Sequence, residues 1–122
     1  MMLFDIKDGV NIGDLKELRK GAFDLFHYFV DYCFDHGLRC MITSIMDDAP
    51  GRVHDGHEDG RCFDASIKGW SESDIEEFVH ITNANFIHIA AVSEKDLIPR
   101  AVVCHGEGEK RHLHIQCKRN LT

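Results

Sequence analysis

Cys62-Phe63-Asp64-Ala65-Ser66-Ile67 alternates along its length, so an extended backbone sets Phe63, Ala65 and Ile67 on one face and Cys62, Asp64 and Ser66 on the other. This stretch reads as a strand, and the segments on either side indicate what it joins. Upstream, Asp47 to Gly60 (DDAPGRVHDGHEDG) is polar, with three glycines and a proline. It reads as a loop, and loops carried on a rigid scaffold often hold chemistry. Before it, Leu38 to Met46 (LRCMITSIM) is rich in apolar and β-branched residues, which predicts a second strand.

Farther upstream, Leu15, Leu18, Ala22, Phe26, Val30, Cys33 and Phe34 recur at steps of three and four from Asp14 onward, while Lys16, Glu17, Arg19, Lys20, Asp24 and Asp31 fall elsewhere. The spacing predicts a long amphipathic helix ending near Gly37, a residue suited to a left-handed cap. Downstream, Ser71-Glu72-Ser73-Asp74 reads as an acidic, hydroxyl-capped helix start, continued by Ile75, Phe78, Val79 and Ile81 to about Asn83. Phe86 to Val92 and Arg100 to Cys104 read as strands. His105-Gly106-Glu107-Gly108-Glu109 is turn-like and leads into a last strand, His112 to Cys117, so the final pair is expected to be a hairpin. The order αββαβββ predicts one α+β domain over residues 1–122, with a mainly antiparallel central sheet flanked by helices.

The 122 residues suit one compact domain. A formal charge of −7 argues against a nucleic-acid-binding surface, which needs a positive field. No run approaches a membrane span, and Met1 to Asp8 has no basic leader followed by an apolar stretch. The expectation is a cytoplasmic product that reaches anything outside the membrane only when another factor releases it. The five cysteines, Cys33, Cys40, Cys62, Cys104 and Cys117, form no CxxC pair and read as reduced, buried small side chains.

Nine histidines are unusual for this length, and their positions matter more than their number. In His57-Glu58-Asp59-Gly60-Arg61-Cys62-Phe63-Asp64, Gly60 lets the chain turn tightly, so His57 at the loop edge and Asp64 on the strand can point at one spot. In His112-Leu113-His114-Ile115-Gln116 both imidazoles leave one face of a strand while Leu113 and Ile115 point into the core. Two nitrogens and a carboxylate oxygen would make a three-ligand zinc site with a fourth position open to water, the arrangement of a catalytic zinc. Either motif alone is weak, because such histidines are commonly solvated. Together they are more specific, since an imidazole pair buried with no metal or partner is costly to desolvate.

HEDGRCFD followed some fifty residues later by RHLHIQC resembles the superfamily of zinc D-alanyl-D-alanine carboxypeptidases, phage L-alanyl-D-glutamate endopeptidases, murein endopeptidases and the hedgehog signalling domain. The resemblance spans roughly Leu38 to Cys117. It implies one zinc held by His57, Asp64 and His114 on a small α+β fold, and hydrolysis of peptidoglycan stem peptides by a phage or prophage lytic enzyme. It also implies a proton acceptor near the metal, for which Glu109 is the first choice and Glu107 the next. His112 would assist by stabilising the developing oxyanion. A second register, Glu109-x-x-His112, would make His112 the ligand.

The chain departs from the family in having Asp55 where many members have serine. It also has Thr43-Ser44-Ile45-Met46-Asp47 where many have a segment ending in arginine, which leaves Arg52 or Arg61 to bind a substrate carboxylate. Cys62 stands in place of a common alanine, as filler or as a spare ligand. His54 reads as solvated or as a substrate contact, and His105 can approach the metal from the side. His27, His36, His80 and His88 read as background. Two other functions remain open, a zinc-binding module without hydrolysis and a Cys–His hydrolase using Cys62 or Cys104.

Overall fold

Strand β3, Cys62–Ser66, forms where the alternation predicts it. It is the middle strand of a five-stranded sheet ordered β1 (Asp5–Ile6), β2 (Met41–Ser44), β3, β7 (His112–Gln116), β6 (Val102–His105). Two further strands, β4 (Ala91–Val92) and β5 (Pro99–Arg100), form a separate antiparallel ribbon. The computed structural model describes residues 4–45, 60–93 and 96–118. Of the expected loop Asp47–Gly60, only Gly60 lies within the described residues.

The pairs β2–β3, β3–β7 and β7–β6 are antiparallel and β1–β2 is parallel, so this small α+β unit has a mixed sheet. β1 is absent from the expected element order because two residues carry no periodicity. The β6–β7 hairpin forms, closed by a short 3-10 turn at Gly108–Lys110.

Helix α1 runs Lys20–His36, a later start than the periodicity suggests. Ile12–Glu17 is instead a 3-10 helix capped by the Asn11 side chain, and Leu18 is extended at ψ 136°. The departure has a tertiary cause: the Arg19 amide donates to the Gly60 carbonyl at 2.8 Å, which diverts the chain before α1 begins. Gly37, at φ 65°, ends the helix in the left-handed conformation, its amide reaching the Cys33 and Phe34 carbonyls. The buried stripe passes through Ala22, Leu25, Phe26, Phe29, Val30, Tyr32 and Cys33. Phe34, expected on that face, lies beyond its edge and is 66% exposed.

Helix α2, Glu72–Asn85, opens on the expected hydroxyl cap, a complete capping box between Ser71 and Asp74. Both helices cover one face of the sheet. Phe26 meets Phe63 edge to face at 5.6 Å, Phe29 meets Phe78 at 5.5 Å, and Val102, Leu113 and Ile115 close the same core. Tyr32 of α1 donates to Glu77 of α2 at 2.9 Å, and burial together with that carboxylate pushes the phenol pKa up. Among the described residues, no helix is long and apolar enough to cross a membrane.

Two expected strands change. Phe86 to Val92 becomes a 3-10 turn at Ile87–Ile89 followed only by β4, because Phe86 still bonds back to Thr82 at the end of α2. Arg100 to Cys104 divides at Ala101. The Asn83 Oδ1 accepts from the Ala101 and Val102 amides at 2.7 and 2.9 Å, while its Nδ2 donates to the Val102 carbonyl at 3.0 Å. One side chain thus closes the outer edge of β6 at Val102 and separates it from β5.

The five cysteines are thiols, and all but Cys104 are buried, in agreement with the expectation that they are packing residues. Gly60 has φ +77°, and a Cβ there would sit 2.3 Å from the Glu17 carbonyl oxygen. Gly60→Ala should therefore cost roughly 2–3 kcal/mol of stability, read by urea denaturation, whereas an unchanged midpoint would show that this approach is not tight. Asn83→Ala should speed amide exchange at Val102 while exchange in β3 stays slow; equal acceleration in both strands would contradict a local edge-closing role.

Candidate functional site

The β3–β7 register sets Asp64 opposite His114, Ser66 opposite His112 and Cys62 opposite Gln116. The β6–β7 register adds Val103 beside His114 and His105 beside His112. Phe63, Ala65, Leu113 and Ile115 point to the helices, so these alternate residues share the opposite face. The spacing of His112 and His114 shows only that they leave the same side of a strand. Pairing with β3 is what brings them to Asp64.

His114 Nδ1 lies 2.9 Å from Asp64 Oδ1, and His114 Nε2 lies 2.8 Å from Gln116 Oε1. The two side chains of the first pair are 12% and 9% exposed, so water screens their contact little. A carboxylate on one ring nitrogen and an amide on the other fix the plane of the imidazole. Gln116 was missing from the expected site, although period two already sets it on the face of His112 and His114.

The ring of His112 is also anchored. Its Nδ1–H donates to the Lys110 carbonyl at 2.9 Å, which in the neutral ring leaves the lone pair on Nε2. Nε2 faces Asp64 Oδ2 at 3.8 Å, too far for a direct hydrogen bond. His105 stands close by, its ring centre 5.4 Å from that of His114 and 5.9 Å from that of His112. Glu109 is exposed within the turn Gly108–Lys110, and Glu107 is exposed at its start. Arg111, next to His112, pairs with Glu72 at the beginning of α2, which ties the start of β7 to the helix layer.

His57, His54, Asp55 and Arg52 lie outside the described residues. Arg61 is 6% exposed, and Cys62 is wholly buried on the same face as Asp64. Of the other histidines, His27 and His36 lie on α1, His80 on α2 and His88 in the 3-10 turn, away from the pair in the sheet.

Among the described residues, no three His, Cys, Asp or Glu side chains gather into a group able to hold a metal. The described part contributes two of the three expected ligands. Donor atoms bound at about 2.0–2.2 Å around one tetrahedral zinc lie roughly 3.3–3.6 Å apart, so Asp64 Oδ1 and His114 Nδ1, hydrogen-bonded at 2.9 Å, would lose the proton between them and part slightly to share an ion. The donor chemistry, one carboxylate and one imidazole, suits zinc as well. Ser44, opposite Asp64 on β2, is buried with an Oγ that has no hydrogen-bond partner among the described residues. A buried hydroxyl of this kind ordinarily has a water or ion beside it.

A cleft of about 410 Å³ opens beside His114, with His105, Gln116 and Val103 on the sheet side and Arg100 and Ile98 on the ribbon side. A larger one, about 620 Å³, lies against α2 between Val79, Asn83, Cys104 and Arg111 and touches neither Asp64, His112 nor His114. The smaller cleft is the one that adjoins the polar cluster. No protein-family model, curated protein or solved structure matches this chain.

The contact between Asp64 and His114 can be isolated. A double-mutant cycle with Asp64→Asn and His114→Gln in chelator-treated protein should give a coupling of about 1–2 kcal/mol by urea denaturation. Additive effects would show that the two side chains do not act on each other.

Proposed function

We propose that this chain is a zinc-dependent peptidase of bacterial peptidoglycan stem peptides, with a fold similar to that of the D-alanyl-D-alanine peptidases and the hedgehog domain, and that it acts as a phage or prophage lytic enzyme. The observation that carries this reading is the contact between Asp64 and His114, two residues from separate motifs that meet across neighbouring strands at 2.9 Å. In this reading His57, Asp64 and His114 hold one zinc.

Zinc, when bound, supplies Lewis acidity, lowering the pKa of a water to about 7 and polarising the scissile carbonyl. The protein does the rest. Gln116 holds the His114 ring through its other nitrogen, and Val103 and Ile98 give the adjoining cleft an apolar wall. His112, with Nδ1–H held by the Lys110 carbonyl, presents Nε2 as the proton acceptor and returns the proton to the leaving amine. Glu109, exposed on the turn Gly108–Lys110 ahead of β7, is the second candidate for that role.

The exposure of Glu109 favours one other reading, a zinc-binding module of the same fold without hydrolysis. Elemental analysis and mass spectrometry of fragments released from purified peptidoglycan separate the two. The peptidase reading expects roughly one zinc per chain, stem-peptide cleavage by wild type, and a loss of roughly 100-fold or more in both His114→Ala and His112→Gln, with zinc lost only from the former. Zinc without any released fragment would establish the module, and less than about half an equivalent of zinc in wild type would overturn both.

A further inference from the structure

We infer that Cys33 and Cys40 are a dithiol pair that small disulfide oxidants convert to an intrachain disulfide, a redox-controlled staple between the end of α1 and the start of β2. The two thiols are hydrogen-bonded to each other within the core, where they are 1% and 6% exposed. Both belong to the apolar cluster under the helices, so neither is part of the polar face around Asp64 and His114. The staple forms whether or not zinc is bound.

A sharp reversal of the chain brings the pair together. Cys33 lies on the buried stripe of α1. Gly37, at φ 65°, turns the backbone, and the Leu38 amide donates back to the Cys33 carbonyl at 2.9 Å. The returning segment is pinned at two carbonyls. Trp70 Nε1 donates to that of Arg39 at 2.8 Å, and the Asp5 amide donates to that of Cys40 at 2.8 Å. Thiols already in contact meet the first requirement of a disulfide, that the two side chains point at each other. The bridge joins α1 to the strand whose Ser44 stands opposite Asp64, so oxidation braces the sheet without using a residue of the polar cluster.

The hydrogen bond with Cys40, together with burial, pushes the Cys33 thiol above its usual pKa range, so in the closed fold it stays protonated and resists oxidation. Reaction passes through fraying of the helix end, where residues 34–37 are exposed. One thiol freed there loses its proton and attacks a sulfur of a small disulfide such as oxidised glutathione, expelling one glutathione thiolate. The second thiol loses its proton, attacks the protein sulfur of that mixed disulfide and expels the other. The protein gains one S–S bond, the oxidant's S–S bond is lost, and the two protons end on two glutathione thiols.

The test incubates the full chain in buffers of graded reduced and oxidised glutathione. Remaining thiols are blocked with N-ethylmaleimide in denaturant and mapped by peptide mass spectrometry, and thermal unfolding is followed on the same samples. Wild type should lose alkylation at Cys33 and Cys40 together while Cys62 and Cys117 stay alkylated. Its Tm should rise by about 5–10 °C and fall back with dithiothreitol. Cys104→Ala, which removes the one thiol that is not buried, should give the same bridge and the same rise, and Cys40→Ala should give neither. A wild-type bridge to any other cysteine, a stable glutathione adduct at Cys33 or Cys40 in place of the bridge, a Tm unmoved by the mapped bridge, or both thiols still alkylated after full oxidation would overturn the inference.

Discussion

The contact between Asp64 and His114 depends on a register that neither residue sets. Phe63, Ala65, Leu113 and Ile115 are almost wholly buried under α1 and α2, and a slip of one residue between β3 and β7 would turn all the side chains of a strand to its other face. Burying each such large side chain is worth about 1.5–3 kcal/mol, more than a polar contact returns. The apolar face therefore dictates the pairing, and the polar face inherits it. Asp64, His112, His114, His105 and Gln116 meet because the residues between them belong to the core.

The rest of the fold keeps the ends of those strands in place. The Gly60 carbonyl accepts from Arg19 just ahead of α1, which fixes where β3 begins, and only a glycine permits that approach. Arg111 pairs with Glu72 and so anchors the entry to β7 at the head of α2. Asn83, near the other end of α2, ends the ribbon and starts β6. The glycine of the HxxGxxxD motif thus has a packing reason besides any chemical one: its carbonyl and its bare α-carbon both lie against the backbone that leads into the first helix.

Much of this was legible in the sequence wherever a pattern is local. The alternation in Cys62–Ser66 and His112–Gln116, the capping box at Ser71 and the left-handed end at Gly37 all rest on neighbours in the chain, and the structure has each of them. Where a tertiary bond competes with local preference, the pattern misleads. Leu18 has helical spacing but leaves the helix beside Arg19, Ala101 sits within an apolar run but is held by Asn83, and Phe34 follows the stripe in steps of four yet rotates out of it. The polar face was only half legible. Period two gives the direction of His112, His114 and Gln116, but the partner strand and the cleft beside His114 arise from pieces distant in the chain, and the local bond from His112 to the Lys110 carbonyl depends on the turn that precedes β7.

The central claim is that Asp64 and His114 share a zinc ion, and a zinc anomalous-difference map from a crystal of the full chain tests it most directly. The account predicts one strong peak within about 2.3 Å of both a carboxylate oxygen of Asp64 and a ring nitrogen of His114. A map with no such peak at full zinc saturation, or with zinc bound elsewhere while these two side chains stay hydrogen-bonded to each other, would contradict it.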